Sequence, residues 1–410
     1  MYKLRSSIFV ATLLLIFVVG SGVLSAQAPI EIEVWHRWGG EHERIFNELI
    51  EAFNATHPGI KVTGVGIPGE YVDLVERLFA RLAARQAPPD VLATGHFLLS
   101  YTTRTFSALN LDFFAADEIA EIEARFANSA LLDIGRVDGA LYGIPFTISN
   151  QVLYYNPDIF RQAGLDPNKP PSTWEEVREY AVKIKQNTSA APLYIATPDT
   201  WLMAALIESN GGRMMVDGKA AFNSPEAVEA MEMWRGFYAD GLIPQISTEE
   251  AERVFQAGGM GMYAQSIMRL GPFSVTAPWL QVAPLPSFGD KPKRLPAGGS
   301  SLVILSRDRA KAQAAWEFLK FTTTPEAMAI WVKTGYLNPL KADVPLADPR
   351  QKPAMDQLDL AVPWVDWGGP LGLEIEKVVM DYRDKILYGV LGVKEGLDQA
   401  VREVNSLLIF

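Results

Sequence analysis

The segment Gly143–Glu176, GIPFTISNQVLYYNPDIFRQAGLDPNKPPSTWEE, constrains the fold of this chain most tightly. It opens as an extended run with polar residues at its middle, Thr147, Ser149 and Asn150, and an apolar block, Val152–Tyr155, at its end. A short turn and helix, Asn156–Gly164, follow, then a proline-rich loop and a strong helix start. Ser172 and Thr173 lie three residues before Glu175 and Glu176, the spacing of a capping box. Hydroxyls and amides buried in a strand need partners. A strand with a polar centre therefore suits a crossing between two domains, where it borders a wet cleft.

At 410 residues the chain exceeds what a single core usually serves, so two domains are expected. With 49% hydrophobic residues and 32 glycines it is a globular chain. Its 37 basic and 48 acidic residues give a formal charge of −11 with no basic stripe, which argues against a nucleic-acid partner. Lys291-Pro292-Lys293-Arg294 is a short basic turn and reads as a solvated loop. At the N-terminus, Lys3 and Arg5 precede the uncharged apolar run Ile8–Val19 and the small residues Leu24-Ser25-Ala26-Gln27-Ala28. These are the three parts of a secretory leader, residues 1–28, with cleavage expected near Ala26 or Ala28. The apolar run is too short to read as a membrane span. Cysteine is absent, which removes both disulfides and an N-terminal lipid-anchor cysteine. An exported, free periplasmic protein is the expectation.

Beyond the leader the chain alternates strand and helix. Ile30–Trp35 alternates as a strand, Gly39 and Gly40 turn into a helix at Glu41–Phe53, and a second strand lies near Ile60–Val65. A helix near Tyr71–Arg85 and a third strand at Asp90–Ala93 follow. The alternation predicts an α/β fold with mainly parallel sheets flanked by helices. Ligands of such sheets bind in loops beyond the strands' carboxyl ends, here Trp38–Glu41, Gly66–Tyr71 and Thr94–Phe97. Ser224-Pro225-Glu226, Ser306 and Thr324-Pro325-Glu326 start later helices, and Gly241 and Gly335 stop two of them.

The chemistry of metals and covalent catalysis finds no foothold. The four histidines, His36, His42, His57 and His96, lack zinc-pair spacing and have no cysteine beside them. No nucleophile elbow or phosphate-cradling glycine loop is present. The reading calls for no cofactor and no metal. Aromatic residues carry more. The chain has 10 Trp and 13 Tyr, several of them in predicted loops. The C–H patches of a sugar ring stack on aromatic faces, and its hydroxyls need planar donors and acceptors. Trp38, Trp201, Trp364 and Trp367 are the stacking candidates, whereas Trp234, Trp316 and Trp331 sit on helices and read as core. Glu41 either accepts ligand hydroxyls or favours a helix N-terminus. Gly298, Gly299 and Ser300 offer close backbone approach, Ser149 and Asn150 lie on the crossing strand, and Ser266 ends the strand at Met260–Gln265.

Five blocks in order, IEVWHRWGG with FNATHPGIKV, the Gly143–Glu176 crossing, VFQAGGMGMYAQS, GGSSLVILS and KTGYLNP, resemble the family-1 extracellular solute-binding proteins of ABC importers. The resemblance covers nearly all of the chain beyond the leader. It implies the type II periplasmic binding protein fold, with an N-terminal lobe at residues 29–147 plus 284–340 and a C-terminal lobe at 148–283 plus 341–410. Three hinge crossings and closure over ligand follow from it, as do a membrane permease partner and a monomeric receptor. Its sugar- and glycerophosphate-binding members imply ligand roles for Tyr71, His96 and Tyr336, and favour Trp201 and one of Trp364 and Trp367. The glycerophosphate receptors carry an arginine in the C-terminal third that pairs with phosphate. Here Val362–Leu371, VPWVDWGGPL, has Asp366 and no arginine. A carboxylate repels phosphate and accepts sugar hydroxyls, so a neutral disaccharide or short oligosaccharide is expected. A glycerol-3-phosphate or glycerophosphodiester receptor, a glycoside hydrolase using Glu41 and Asp366, and an adaptor without a ligand are the rival readings.

Overall fold

The computed structural model describes residues 28–408, so the charged and apolar segment read as an export leader lies outside the described residues. The first half of the fold opens with β1 (Ile30–His36), α1 (Gly40–Thr56), β2 (Ile60–Gly66), α2 (Tyr71–Ala83), β3 (Val91–Gly95) and α3 (Leu99–Phe106). Helix α1 buries Ile45, Phe46, Leu49, Ile50 and Phe53 on one stripe. Helix α2 begins with a reciprocal box in which Glu70 and Asp73 each bond the other's backbone. The two strands of the crossing segment are β4 (Gly143–Ser149) and β5 (Gln151–Tyr155), with Asn150 alone between them.

The second half adds α4 (Trp174–Asn187), β6 (Ala191–Ile195), α5 (Trp201–Ser209), α6 (Pro225–Ala239), β7 (Met260–Ser266) and β8 (Gln281–Pro284). At the start of α4 the capping is divided. Thr173 accepts from Glu176 N at 3.2 Å, and Ser172 N donates to the Glu176 carboxylate at 2.7 Å. The chain then returns through β9 (Gly298–Ile304), α7 (Arg309–Thr322) and α8 (Pro325–Trp331), and goes back to pack α9 (Gly372–Leu387) against α6 of the second half. The expected cap at Ser306 is moved to Asp308, which accepts from Lys311 N at 2.9 Å. Trp234, Trp316 and Trp331 are fully buried in the core, as their helix positions predict.

Two sheets organise these elements. One has the order β2-β1-β3-β9-β4 and the other β8-β5-β7-β6. β1 runs parallel to β2 and β3, but β9 is antiparallel to both β3 and β4. In the second sheet only β7 and β6 are parallel. The parallel share is thus smaller than strand–helix alternation alone predicts. Strands that arrive by crossing from the other sheet enter without an intervening helix, so nothing obliges them to run parallel. Among the described residues, no helix is long and apolar enough to cross a membrane.

Candidate functional site

The crossing strand β4 meets β9 in a ladder that shifts register between Ser300 and Ser301. At this irregularity Ser300 N donates to Thr147 Oγ1 at 2.5 Å, and the two hydroxyls lie 2.9 Å apart. The polar centre of β4 therefore stitches the bulge, and only Ser149 among its polar residues reaches a cavity. Gly299 sits at φ +120°, where an added Cβ would lie 1.8 Å from Thr147 O. A Cβ on Gly298 would lie 2.6 Å from Trp201 Cζ2. Gly299 thus lets β9 lie close on Thr147, and Gly298 lets an indole rest on bare backbone.

That indole belongs to a cavity of about 290 Å³ between the two sheets. Trp201 is held from β9's approach, its Nε1 donating to Pro296 O at 2.7 Å. Its ring centroid is 6.1 Å from that of Trp364, which packs on Phe97 at 4.3 Å. Tyr71, at the head of α2, lies edge-on to Phe97. Tyr71 Oη and Trp364 Nε1 are buried without a protein partner. A buried polar atom in that state loses its water without replacement, so a ligand group that bonds it gains more than one that meets a satisfied atom.

Charge is distributed around the aromatic wall. Arg37 donates to Gly69 O at 3.0 Å and to Glu70 at 2.5 Å, and its guanidinium lies 4.8 Å over the Tyr71 ring. Arg269 pairs with Glu252 at 3.4 Å and Lys377 with Glu76 at 3.8 Å. Three acids line the cavity without a basic side chain bonded to them: Asp73, which accepts from Glu70 N at 2.7 Å, Asp199 and Glu376. Glu376 accepts from Thr200 N, Thr200 Oγ1 and Trp367 Nε1 at 3.1, 2.7 and 3.0 Å, and burial pushes its carboxyl up. Asp199 accepts from Trp201 N at 2.8 Å. Loss of hydration pushes Asp199 up to about 7, against the Trp201 bond and helped by nearby Glu376.

Of the expected ligand residues, Tyr71, Ser149, Trp201 and Ser266 line this cavity, as do Gly298, Gly299, Tyr336 and Trp364. The others sit elsewhere. Trp38 stacks on His36 at 5.0 Å and touches Trp331 at 4.8 Å within the core. Glu41 is at the surface, paired with Arg44 at 2.6 Å. His96 is buried behind β4, donating from Nε2 to Thr147 O at 3.1 Å while Ser301 Oγ reaches its Nδ1 at 3.2 Å. Desolvation lowers it to about 4 and keeps it neutral. Asn150 donates to Ala354 O at 2.8 Å, and Ser300 is spent on the bulge. Trp367 holds Glu376. Asp366 faces a separate opening and accepts from Ser100 N at 2.5 Å and Gly368 N at 3.0 Å. Among the described residues, no group of three or more His, Cys, Asp or Glu is placed to hold a metal ion.

The profile of the bacterial extracellular solute-binding proteins matches residues 39–329. The chain belongs to this family, the receptors of ABC importers. The sn-glycerol-3-phosphate-binding periplasmic protein UgpB of Brucella abortus is 28% identical over 333 residues, 76% of this chain and 75% of its own. Two solved structures share the fold. The cyclic alpha-maltosyl-1,6-maltose binding protein of Arthrobacter globiformis superposes with TM-score 0.79 at 23% identity, covering 93% of this chain and 99% of that one. UgpB of Mycobacterium tuberculosis, in complex with glycerophosphocholine, superposes with TM-score 0.81 at 20% identity, covering 93% and 98%. The type II periplasmic binding protein fold follows, and the family is one of binding proteins rather than enzymes.

Arg37, Asp199, Arg269 and Glu376 of this solute-binding protein line the cavity and were not singled out in the sequence. Their presence changes one argument. The Val362–Leu371 segment indeed has no arginine, but two guanidinium groups reach the cavity from other loops. The missing arginine therefore does not describe the charge of the site. What does is the carboxylate already paired with each cation.

Proposed function

We propose that this receptor captures a neutral carbohydrate, a disaccharide or short oligosaccharide, between an N-terminal lobe built on the β2-β1-β3-β9-β4 sheet and a C-terminal lobe built on the β8-β5-β7-β6 sheet. One observation carries the reading. The cavity joins an aromatic wall of Tyr71, Phe97, Trp201 and Trp364 to two carboxyl groups, Asp199 and Glu376, while each of its cations is paired with an acid. Rings stack on the wall and hydroxyls bond the carboxyls and the free Tyr71 and Trp364 donors. An anionic ligand would compete with the carboxylates already paired to Arg37 and Arg269, and the buried carboxyls of Asp199 and Glu376 offer it no positive partner. A micromolar sugar corresponds to about −8 kcal/mol, within reach of stacked rings and a few good hydrogen bonds net of closure. Binding closes the lobes, and the closed form docks on the membrane permease after export of the mature, monomeric protein.

A second reading, a phosphate ester, draws on Arg37 and Arg269 lining the same cavity and on the name of the Brucella relative. Tryptophan fluorescence titrated with mono- and disaccharides beside sn-glycerol-3-phosphate separates the two. A saturable change with a disaccharide supports the first reading. A response confined to the phosphate ester replaces it with the second, and silence across the panel sinks both.

A further inference from the structure

The segment Pro363–Leu371 contains no helix or strand, yet it is pinned at three successive places. Trp364 packs on Phe97, which follows β3 in the first half of the fold. Asp366 accepts from Ser100 N in the first turn of α3, a donor that has no acceptor within its own helix. Trp367 Nε1 donates to Glu376 on α9 at 3.0 Å, on the other side. The segment thus straps the two halves together beside the ligand cavity, with one of its tryptophans in the cavity wall. Asp366 itself stays out of that cavity. It borders an opening of about 210 Å³ with Arg104, Arg136 and Asp138. Arg104 is engaged by Asp138 at 2.9 Å, and Arg136 is shared among Asp112, Glu123 and Asp133. The bonds that hold the Asp366 carboxylate come from two backbone N–H groups, one on the strap and one on α3. The positive end of the α3 dipole adds to the attraction.

We propose that Asp366 is a closing clasp. Its bond to Ser100 N fastens the strap, and Trp364 with it, onto the first half, so protein contacts alone draw part of the population into the shut form. The inference rests on the two-lobe closing receptor read above. Asp366 is a positioning residue, acting on ligand through Trp364. Removing it frees the strap from α3 while every cavity-lining side chain remains.

The chain has no cysteine, so two spin labels report the distance between the halves without background. Arg77→Cys on α2 and Glu374→Cys on α9 occupy exposed positions. Double electron–electron resonance on the full-length mature protein, without added solute, is expected to give a short and a long distance population. Asp366→Asn and Asp366→Ala should each deplete the short population at least threefold, with circular dichroism and a cooperative melt confirming that both variants fold. A wild-type distribution without the short population, or folded variants with an unchanged one, overturns the clasp. Adding maltose or sn-glycerol-3-phosphate separates the two layers of argument. Shortening by either solute in wild type and in variants whose solute-free distributions are identical leaves the receptor standing and removes the clasp. A single distance that neither substitution nor solute moves removes both.

Discussion

Trp201 depends on three neighbours for its place: Gly298 beneath it, Pro296 O bonded to its indole nitrogen, and Asp199 capping its own backbone. Truncation to alanine should therefore remove both a stacking face and a wall of the cavity. Trp201→Ala is expected to weaken carbohydrate binding at least tenfold by calorimetry, about 1.4 kcal/mol or more, and unchanged affinity would remove it from the site. Asp199 gives a prediction in pH. Its carboxyl is pushed up to about 7 from 3.8, so the folded protein keeps a proton that the unfolded chain releases. The group's contribution to stability is greatest below the ordinary value and is lost as pH rises through 7. Asp199→Asn should melt like the wild type near pH 4 and at higher temperature than the wild type at pH 8. A melting difference that is flat with pH would contradict the assignment. Tyr71, Trp201 and Tyr336 were legible through the family resemblance, and two of them, Tyr71 and Trp201, open the helices α2 and α5. Arg37 was not, because it adjoins Trp38, and sequence does not tell which of two neighbouring loop residues turns to the cavity. Asp199 leaves a readable trace, an acid two residues before a helix start, but an acid there also reads as an ordinary helix-start residue.

The β4–β9 ladder shows how an element can be recognised correctly and its polar residues be given the wrong employment. The run Gly143–Ser149 reads as a strand with a polar centre, and it is one. Its Thr147, however, is consumed by the register shift at Ser300, a pairing between residues far apart in sequence that no local pattern displays. Thr147→Val leaves Ser300 N without its acceptor in a buried setting and should cost about 1–3 kcal/mol in urea denaturation. A cost within error of zero would mean that the bulge satisfies itself. The helices were more legible because their signals are local. Thr173, Ser224 and Thr324 each cap the helix that follows. Strand direction was least legible, since the antiparallel placement of β9 beside β3 is decided by where the chain returns from.

The molecule is acidic overall, at −11, yet each cation that lines the largely aromatic cavity is paired with an acid, and this sets the expected response to salt. Exposed charges more than about 10 Å apart are screened at 0.1 M ionic strength. Affinity for a neutral sugar should therefore change less than about twofold between low and high salt. A steep loss of binding with added salt would instead favour the phosphate ester and the guanidinium groups of Arg37 and Arg269. Two lobes were legible from length and from the crossing segment, and the division of strands between two sheets agrees with that expectation. The contacts that bridge the halves, Trp364 on Phe97 and Asp366 on Ser100, were not. Each joins residues remote in sequence, and tertiary proximity of that kind has no periodicity to betray it.

The lone Asn150 between β4 and β5 has a consequence for how relatives of this chain can differ in length. Side chains on a strand alternate with a period of two. Inserting or deleting one residue at the crossing would turn the inward faces of one sheet outward, undoing Ser149 at the cavity or Leu153 in the core at a stroke. Substitutions can retune this joint, but changes of length there are closed off. Extra residues are better accommodated in the proline-rich loop near Pro170, which is not paired into either sheet.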